Sequence, residues 1–318
     1  MSTLSNDQGR AFEFACLMCL EREISKLRAV SVVHNSSFHA ALRAWETMTD
    51  RLKEWLNASA YAGVATIFEL EPLIAEDGND LLELKIQTDQ EGKVGDVRDL
   101  LIIRRSIQWE IGLSIKHNHE AVKHSRLAKN LDFGEKWFGI PCSRQYWDDV
   151  APVFGYLDEA KCAGAKWRDL PAKEKDVYIP LLTAFLDEIR RSYETHGSVM
   201  AERMVEYLLG RYDFYKVIGK DGKRAALVET FNFRGSLNQS GFHTQPMRKI
   251  PTSNLPTRIA AAEFRPGFNN TVEIYLDAGW EFSFRIHNAS TYVETSLKFD
   301  VQIIGMPATI TTIQCGWN

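Results

Sequence analysis

"GDVRDLLIIRRSIQWEIGLSIK", residues 95–116, breaks the helical spacing that precedes it and alternates strictly in its second half. There Ile107, Trp109, Ile111, Leu113 and Ile115 fall on one face of an extended chain, and Gln108, Glu110, Gly112, Ser114 and Lys116 fall on the other. Residues 99–104 and 107–116 therefore read as two strands joined by a tight turn at Arg105 and Ser106, with LLELKIQT (81–88) as a third strand before them. Antiparallel pairing about that turn sets Asp99 opposite Gly112 to Ser114, a short diagonal from Lys116. A carboxylate and an ammonium are expected to meet at one end of the hairpin.

Working outward, residues 8–28 and 38–57 have helical spacing; in the second segment Phe38, Leu42, Trp45, Leu52, Trp55 and Leu56 recur at three- and four-residue intervals. After Lys116 the segment HNHEAVKHSRLAKNL (117–131) reads as another helix, with Asn118 as its cap and Glu120 in its first turn. Residues 150–210 are expected to be mostly helical. From Tyr212 strands dominate, with hairpins around Asp221-Gly222 and within TVEIYLDAGWEFSFRIHN (271–288). A polar stretch at 235–256 is too long for a plain connector. The pattern is of the α/β (α+β) class: a core with N-terminal helices at 1–149, a helical region at 150–211 and a β-rich region at 212–318.

The chain of 318 residues is 45% hydrophobic and 25% charged, and no window is apolar enough for a membrane span. The N-terminus MSTLSNDQGR has no basic segment leading into an apolar one, so a cytoplasmic protein without membrane partners is expected. Five irregularly spaced cysteines agree with a reducing compartment, and Cys16 and Cys19 sit in an apolar helical context that reads as packing. Net charge is only −4, but it is unevenly spread. Residues 45–91 hold eleven acidic and three basic side chains, whereas 93–130 hold four and eight, and 234–265 hold one and five. Two locally positive regions on an acidic chain suit a polyanion-binding face.

The expected convergence of Asp99 and Lys116 suits metal-dependent phosphodiester hydrolysis. A carboxylate holds Mg²⁺ near the scissile phosphate, and an ammonium assists the attacking water and balances charge. The letters His117-Asn118-His119 do not supply a second chemistry, because three adjacent residues cannot grip one metal from two strands and a helix. Glu83-Leu84-Lys85 repeats an ExK spelling, but no suitable Asp-bearing strand precedes it.

The order resembles the PD-(D/E)xK nuclease core, a mixed sheet flanked by helices in which Asp begins the second strand and (D/E)xK lies in the third. GDVRDLLIIR supplies Asp99 and SIK supplies Lys116, but Ser114 stands where the second carboxylate belongs. Glu120, one turn past the strand, is the preferred replacement. Glu110 follows because the hairpin brings it toward Asp99, with Asp96, Glu46 and Glu54 behind.

More closely, GDVRDLLIIR, WEIGLSIKHNHEAVKHSRL, DFGEKW (132–137) and YDFYKVI (212–218) resemble the HaeIII-type restriction endonucleases. That resemblance implies a type II enzyme that cuts both strands of double-stranded DNA at GGCC with Mg²⁺, partnered by a methyltransferase of the same specificity. It leaves open whether one chain or a homodimer acts. Lys123, Arg126 and Lys129, with His117, His119 and His124, are then expected to meet phosphates from a helix. Arg234, Asn238, Gln239, Gln245, Arg248 and Lys249, in and beside the long loop, are expected to read bases. A sequence-specific DNA-binding protein that has lost cleavage is the competing reading, motivated by Ser114.

Overall fold

The structure, a computed structural model, describes residues 2–76, 80–88, 96–118, 122–123, 125–239 and 249–317. Helix α1 (Ser2–Ile24) leads to β1 (Val30–Val32), α2 (Ser36–Glu46), α3 (Asp50–Leu70), β2 (Leu82–Ile86), β3 (Leu100–Arg104) and β4 (Trp109–His117). Next come β5 (Arg126–Ala128), α4 (Phe133–Phe138), α5 (Arg144–Cys162), α6 (Ile179–His196) and α7 (Ser198–Leu209). Then follow β6 (Phe214–Lys220), β7 (Ala225–Phe231), β8 (Ile259–Phe264), β9 (Thr271–Leu276), β10 (Glu281–His287), β11 (Ser296–Gly305) and β12 (Thr312–Gly316).

These elements form two compact units, and the chain enters each more than once. The first comprises 1–120, 210–253 and 308–318, and the second 121–209 and 254–307. The contiguous division at 149 and 211 therefore cuts across both. In the first unit seven strands form one mixed sheet in the order β1-β2-β3-β4-β6-β7-β12. The β1-β2 and β4-β6 pairs are parallel, and the other pairs are antiparallel. In the second unit five antiparallel strands run in the order β5-β11-β10-β9-β8 beside α4–α7.

The alternation of β4 decides the first unit. Trp109, Ile111, Leu113 and Ile115 are all buried in one core with Phe12, Leu17 and Leu20 of α1, Leu56 and Ile67 of α3, and Tyr215 and Val217 of β6. Burying each large side chain contributes about 1.5–3 kcal/mol, so slipping this strand by one residue would expose the set and bury Glu110 and Lys116 in its place. The expected single helix over 38–57 is two: Thr49 caps α3 by accepting from the Leu52 amide, and Asn35 caps α2 by accepting from Phe38. Between β3 and β4 a short 3-10 turn closes on Gln108, whose φ of 49° is left-handed.

Candidate active site

Register turns the hairpin into a site. Leu100 pairs with Leu113, and the Asp99 amide donates to the Leu113 carbonyl at 2.8 Å, so Asp99 stands at the β3 entrance beside the end of β4. Its Oδ2 accepts from the Ile115 amide at 2.6 Å, from Lys116 Nζ at 2.8 Å and from Ser114 Oγ at 3.4 Å. Both side chains of the Asp99–Lys116 pair are 25% exposed, so solvent and a ligand can reach them. Burial pulls the Lys116 ammonium down, but the charge and hydrogen bond of Asp99 and the charge of Glu13 outweigh it and hold it above the ordinary lysine value. Lys116 is therefore an ammonium at neutral pH, suited to stabilising negative charge and orienting water rather than to accepting a proton.

Glu110 is not brought to this pair. It lies opposite Ile103, four β3 residues from Asp99, roughly 13 Å at about 3.3 Å per residue. There it binds Arg98 at 2.7 Å, and Arg98 also binds Asp96 at 2.7 Å and lays its guanidinium 4.1 Å from the Tyr212 ring centre. The same guanidinium thus neutralises both acids. Gly112 makes room for it, since a Cβ there would stand 2.0 Å from Arg98 Cδ. Glu83 is held by Arg105 at 2.8 Å, and Glu46 and Glu54 are exposed on α2 and α3. Glu120 lies outside the described residues.

Glu13, which no motif of the sequence marks, also bears on the pair. This α1 residue is half-buried, and its charge acts on Lys116 and, together with Asp99, on the buried Cys16 thiol, which burial pushes up. Phe12 beside it packs its ring 5.8 Å from that of His117 at the end of β4. The available signal was a lone acid inside the apolar run AFEFACLMCL (11–20).

Among the described residues the donors to the Asp99 carboxylate all meet Oδ2, which leaves Oδ1 available to a cation. Hard oxygen donors from one or two carboxylates, completed by waters and substrate phosphate, are what Mg²⁺ takes in phosphoryl-transfer sites. Asp99 fits that pattern. Among the described residues no three His, Cys, Asp or Glu side chains gather as a complete cage.

The expected helix after Lys116 is replaced, where the chain is described, by strand β5, whose Arg126, Leu127 and Ala128 pair with Lys298, Leu297 and Ser296 of β11. A three-residue recurrence of Lys and Arg carried no packing requirement, whereas burying Leu127 in the second unit's sheet does. Lys123 Nζ consequently points inward, donating to the Tyr207 carbonyl at 2.7 Å over that residue's own ring, 3.8 Å from its centre. Lys129 binds Asp158. His117 is buried against Asp221 at 3.0 Å and Phe12, while Asn118 bonds both the side chain and the amide of Asp221 and tethers the β6–β7 turn. Arg126 is exposed and donates to the Ser296 carbonyl and hydroxyl at 3.3 Å, with no carboxylate partner among the described residues. His119 and His124 lie outside the described residues.

The long loop is anchored at both ends in the first unit's core. Leu237 and Ile250 are buried there; Asn232 donates to the Ile250 carbonyl at 2.9 Å and accepts from the Leu237 amide at 3.4 Å. Asn238, fully buried with φ 53°, donates its amide to Glu71 at 2.7 Å, so it fixes the loop instead of presenting an edge to a base. Arg234 and Lys249 are exposed and Gln239 is half-buried; Gln245 and Arg248 lie outside the described residues.

A mixed sheet with helices on its apolar face and an Asp–Lys pair at a hairpin end defines a nuclease-like α+β protein. The chain belongs to the HaeIII restriction endonuclease family, whose model matches residues 9–307, and by class it is a restriction endonuclease, a hydrolase. It is 50% identical to the type II restriction enzyme HaeIII of Haemophilus aegyptius over 318 residues, covering 100% of both chains. No solved structure matches it.

Proposed function

We propose that this endonuclease cuts both strands of double-stranded DNA at GGCC by Mg²⁺-dependent phosphodiester hydrolysis, with Asp99 and Lys116 at the reacting phosphate. The observation that carries the reading is the 2.8 Å approach of Lys116 to Asp99, at the register that the hairpin imposes. Asp99 would hold the metal, which when bound would supply Lewis-acid polarisation of the phosphate and a lowered pKa of the attacking water. Lys116 keeps its proton and faces the negative charge that develops on the phosphoryl oxygens. Glu13 or Glu120 supplies the second carboxylate that Ser114 cannot.

Arg234, Gln239, Gln245, Arg248 and Lys249 are the base-reading candidates, on a loop whose ends are fixed in the core. The enzyme works in the cytoplasm beside a DNA methyltransferase of the same specificity; no helix of the described residues is long and apolar enough to cross a membrane. Cutting both strands takes either a homodimer or two visits by one chain. Binding without cleavage is the second reading, favoured by the hydroxyl of Ser114 at the carboxylate position.

Plasmid cleavage separates the two. Cutting at GGCC sites in Mg²⁺ and none in EDTA is expected. Glu13→Gln or Glu120→Gln should cost far more activity than Glu110→Gln, which Arg98 already engages. Tight GGCC binding with no cutting under any divalent ion would establish the second reading.

A further inference from the structure

The five-stranded sheet of the second unit carries like charges side by side. Arg126 of β5 stands directly opposite Lys298 of β11, which stands opposite His287 of β10. On the same face Arg285, two residues before His287, stands opposite Asp300 and binds it at 3.1 Å. Among the described residues of these strands, Arg126, Lys298, Arg285 and His287 share one corner of the sheet with Asp300. Arg126 and Arg285 are exposed. The opposite face is the unit's core, where Leu127, Leu297, Phe299, Val301, Phe284 and Ile286 are buried.

Like charges directly opposite one another destabilise a strand pair, so this corner opposes folding. The repulsion is visible in the groups themselves. Burial and the charge of Arg126 draw Lys298 below its ordinary value, against the pull of Asp300. Burial and the charges of Arg285 and Lys298 likewise draw His287 below its own. Farther along the same face Glu263 of β8 stands opposite Glu273 of β9, and Glu273 pairs with Arg265 at 3.6 Å.

We propose that Arg126, Lys298 and Arg285 form a phosphate-tracking surface for the DNA backbone, on the sheet face of the second unit. This rests on the reading of the chain as a DNA endonuclease, and it replaces the phosphate-binding helix expected from the sequence. The occupant is duplex DNA because the corner offers a row of cations on a regular strand spacing, which suits a repeating phosphate backbone.

The test is binding in Ca²⁺ to a GGCC duplex and to a duplex of unrelated sequence, across a salt series, with thermal melting measured alongside. Arg126→Gln, Lys298→Gln and Arg285→Gln should each weaken both complexes by the same factor. The triple variant should reduce the salt slope by about 2 to 3, close to one counterion per cation removed. Lys298→Gln should melt at or above the wild-type temperature, because it relieves the repulsion from Arg126. Weaker binding at undiminished stability is a combination that a merely structural residue does not give.

A triple variant with the wild-type salt slope would overturn the proposal. So would one that loses only the preference for GGCC, which would make the face a base reader. Wild-type protein that binds DNA but never cuts it would sink the nuclease reading and leave this surface standing; wild-type protein that binds neither duplex would sink both.

Discussion

The two sheets handle charge differently. In the seven-stranded sheet, ionised groups at and around the hairpin meet opposites: Lys116 meets Asp99, Arg98 meets Asp96 and Glu110, and Lys216 meets Glu229 at 3.6 Å. In the five-stranded sheet Arg285 meets Asp300 at 3.1 Å, but Arg126 and Lys298 are set face to face. The difference follows from what each must do. A site that directs a reaction needs its groups held in one geometry before the substrate arrives, and compensating charges do that. A surface that gathers a polyanion needs uncompensated charge, and the fold tolerates the repulsion where water screens it.

The sharpest way to break the comparison is at the compensated pair. Asp99→Ala or Lys116→Ala should reduce cleavage at GGCC by about three orders of magnitude or more, the several kcal/mol that a metal site and its charge partner supply. Specific binding in Ca²⁺ should persist, since neither residue is assigned to bases. Near-normal cutting by either variant would remove both residues from the active site, and loss of binding in parallel with cutting would make them DNA anchors.

Legibility differed for a physical reason. Strand β4 sets Trp109, Ile111, Leu113 and Ile115 into one core, so burial wrote itself into the sequence as alternation, and the register that joins Asp99 to Lys116 followed from a tight turn. Strand β5 is three residues whose partner, β11, begins at Ser296, and no local pattern encodes so distant a pairing. Its Lys and Arg spacing imitated a helix because solvent-facing charges obey no period. Glu13 stayed hidden in an apolar helix, since its meaning lies in what α1 packs against. Strand β12 belongs to the first unit's sheet through β7, a return that a division into contiguous blocks cannot show.

Glu71 tests the first sheet's rule by being its exception. It is fully buried, and its Oε1 accepts from Tyr215 Oη at 2.7 Å and from the Asn238 amide at 2.7 Å. Burial outweighs those two hydrogen bonds and pushes its carboxyl up to about 8, from 4.5. Here the charge is removed by a proton instead of balanced. The folded pKa lies above the unfolded one, so stability is fully present below about pH 4.5 and falls as pH rises through about 8. Glu71→Gln should remove that dependence. Melting temperatures of the two proteins should therefore diverge in favour of the variant between about pH 5 and pH 8, and a pH-independent difference would show that Glu71 does not titrate in that window.

The smallest expected effect belongs to Lys123, a half-buried cation of the second unit that lies over a ring. Burial and the neighbouring charge of Lys136 draw its ammonium down to about 8, from 10.5. The sign is opposite to that of Glu71. Below about pH 8 the lysine is charged in both states and the fold bears the cost of holding it; between about 8 and 10.5 only the unfolded chain keeps the proton, so stability rises with pH. The Tyr207 carbonyl and ring offset part of that cost, which keeps the effect modest. Lys123→Met fills similar volume without a titrating group. Wild-type stability measured relative to this variant should climb across that upper window and stay level below it. A level difference throughout would mean that the ring and the carbonyl hold the ammonium at its ordinary value. Lys123 would then be a compensated cation like Lys116, and the contrast between the two sheets would narrow to the exposed corner at Arg126, Lys298 and Arg285.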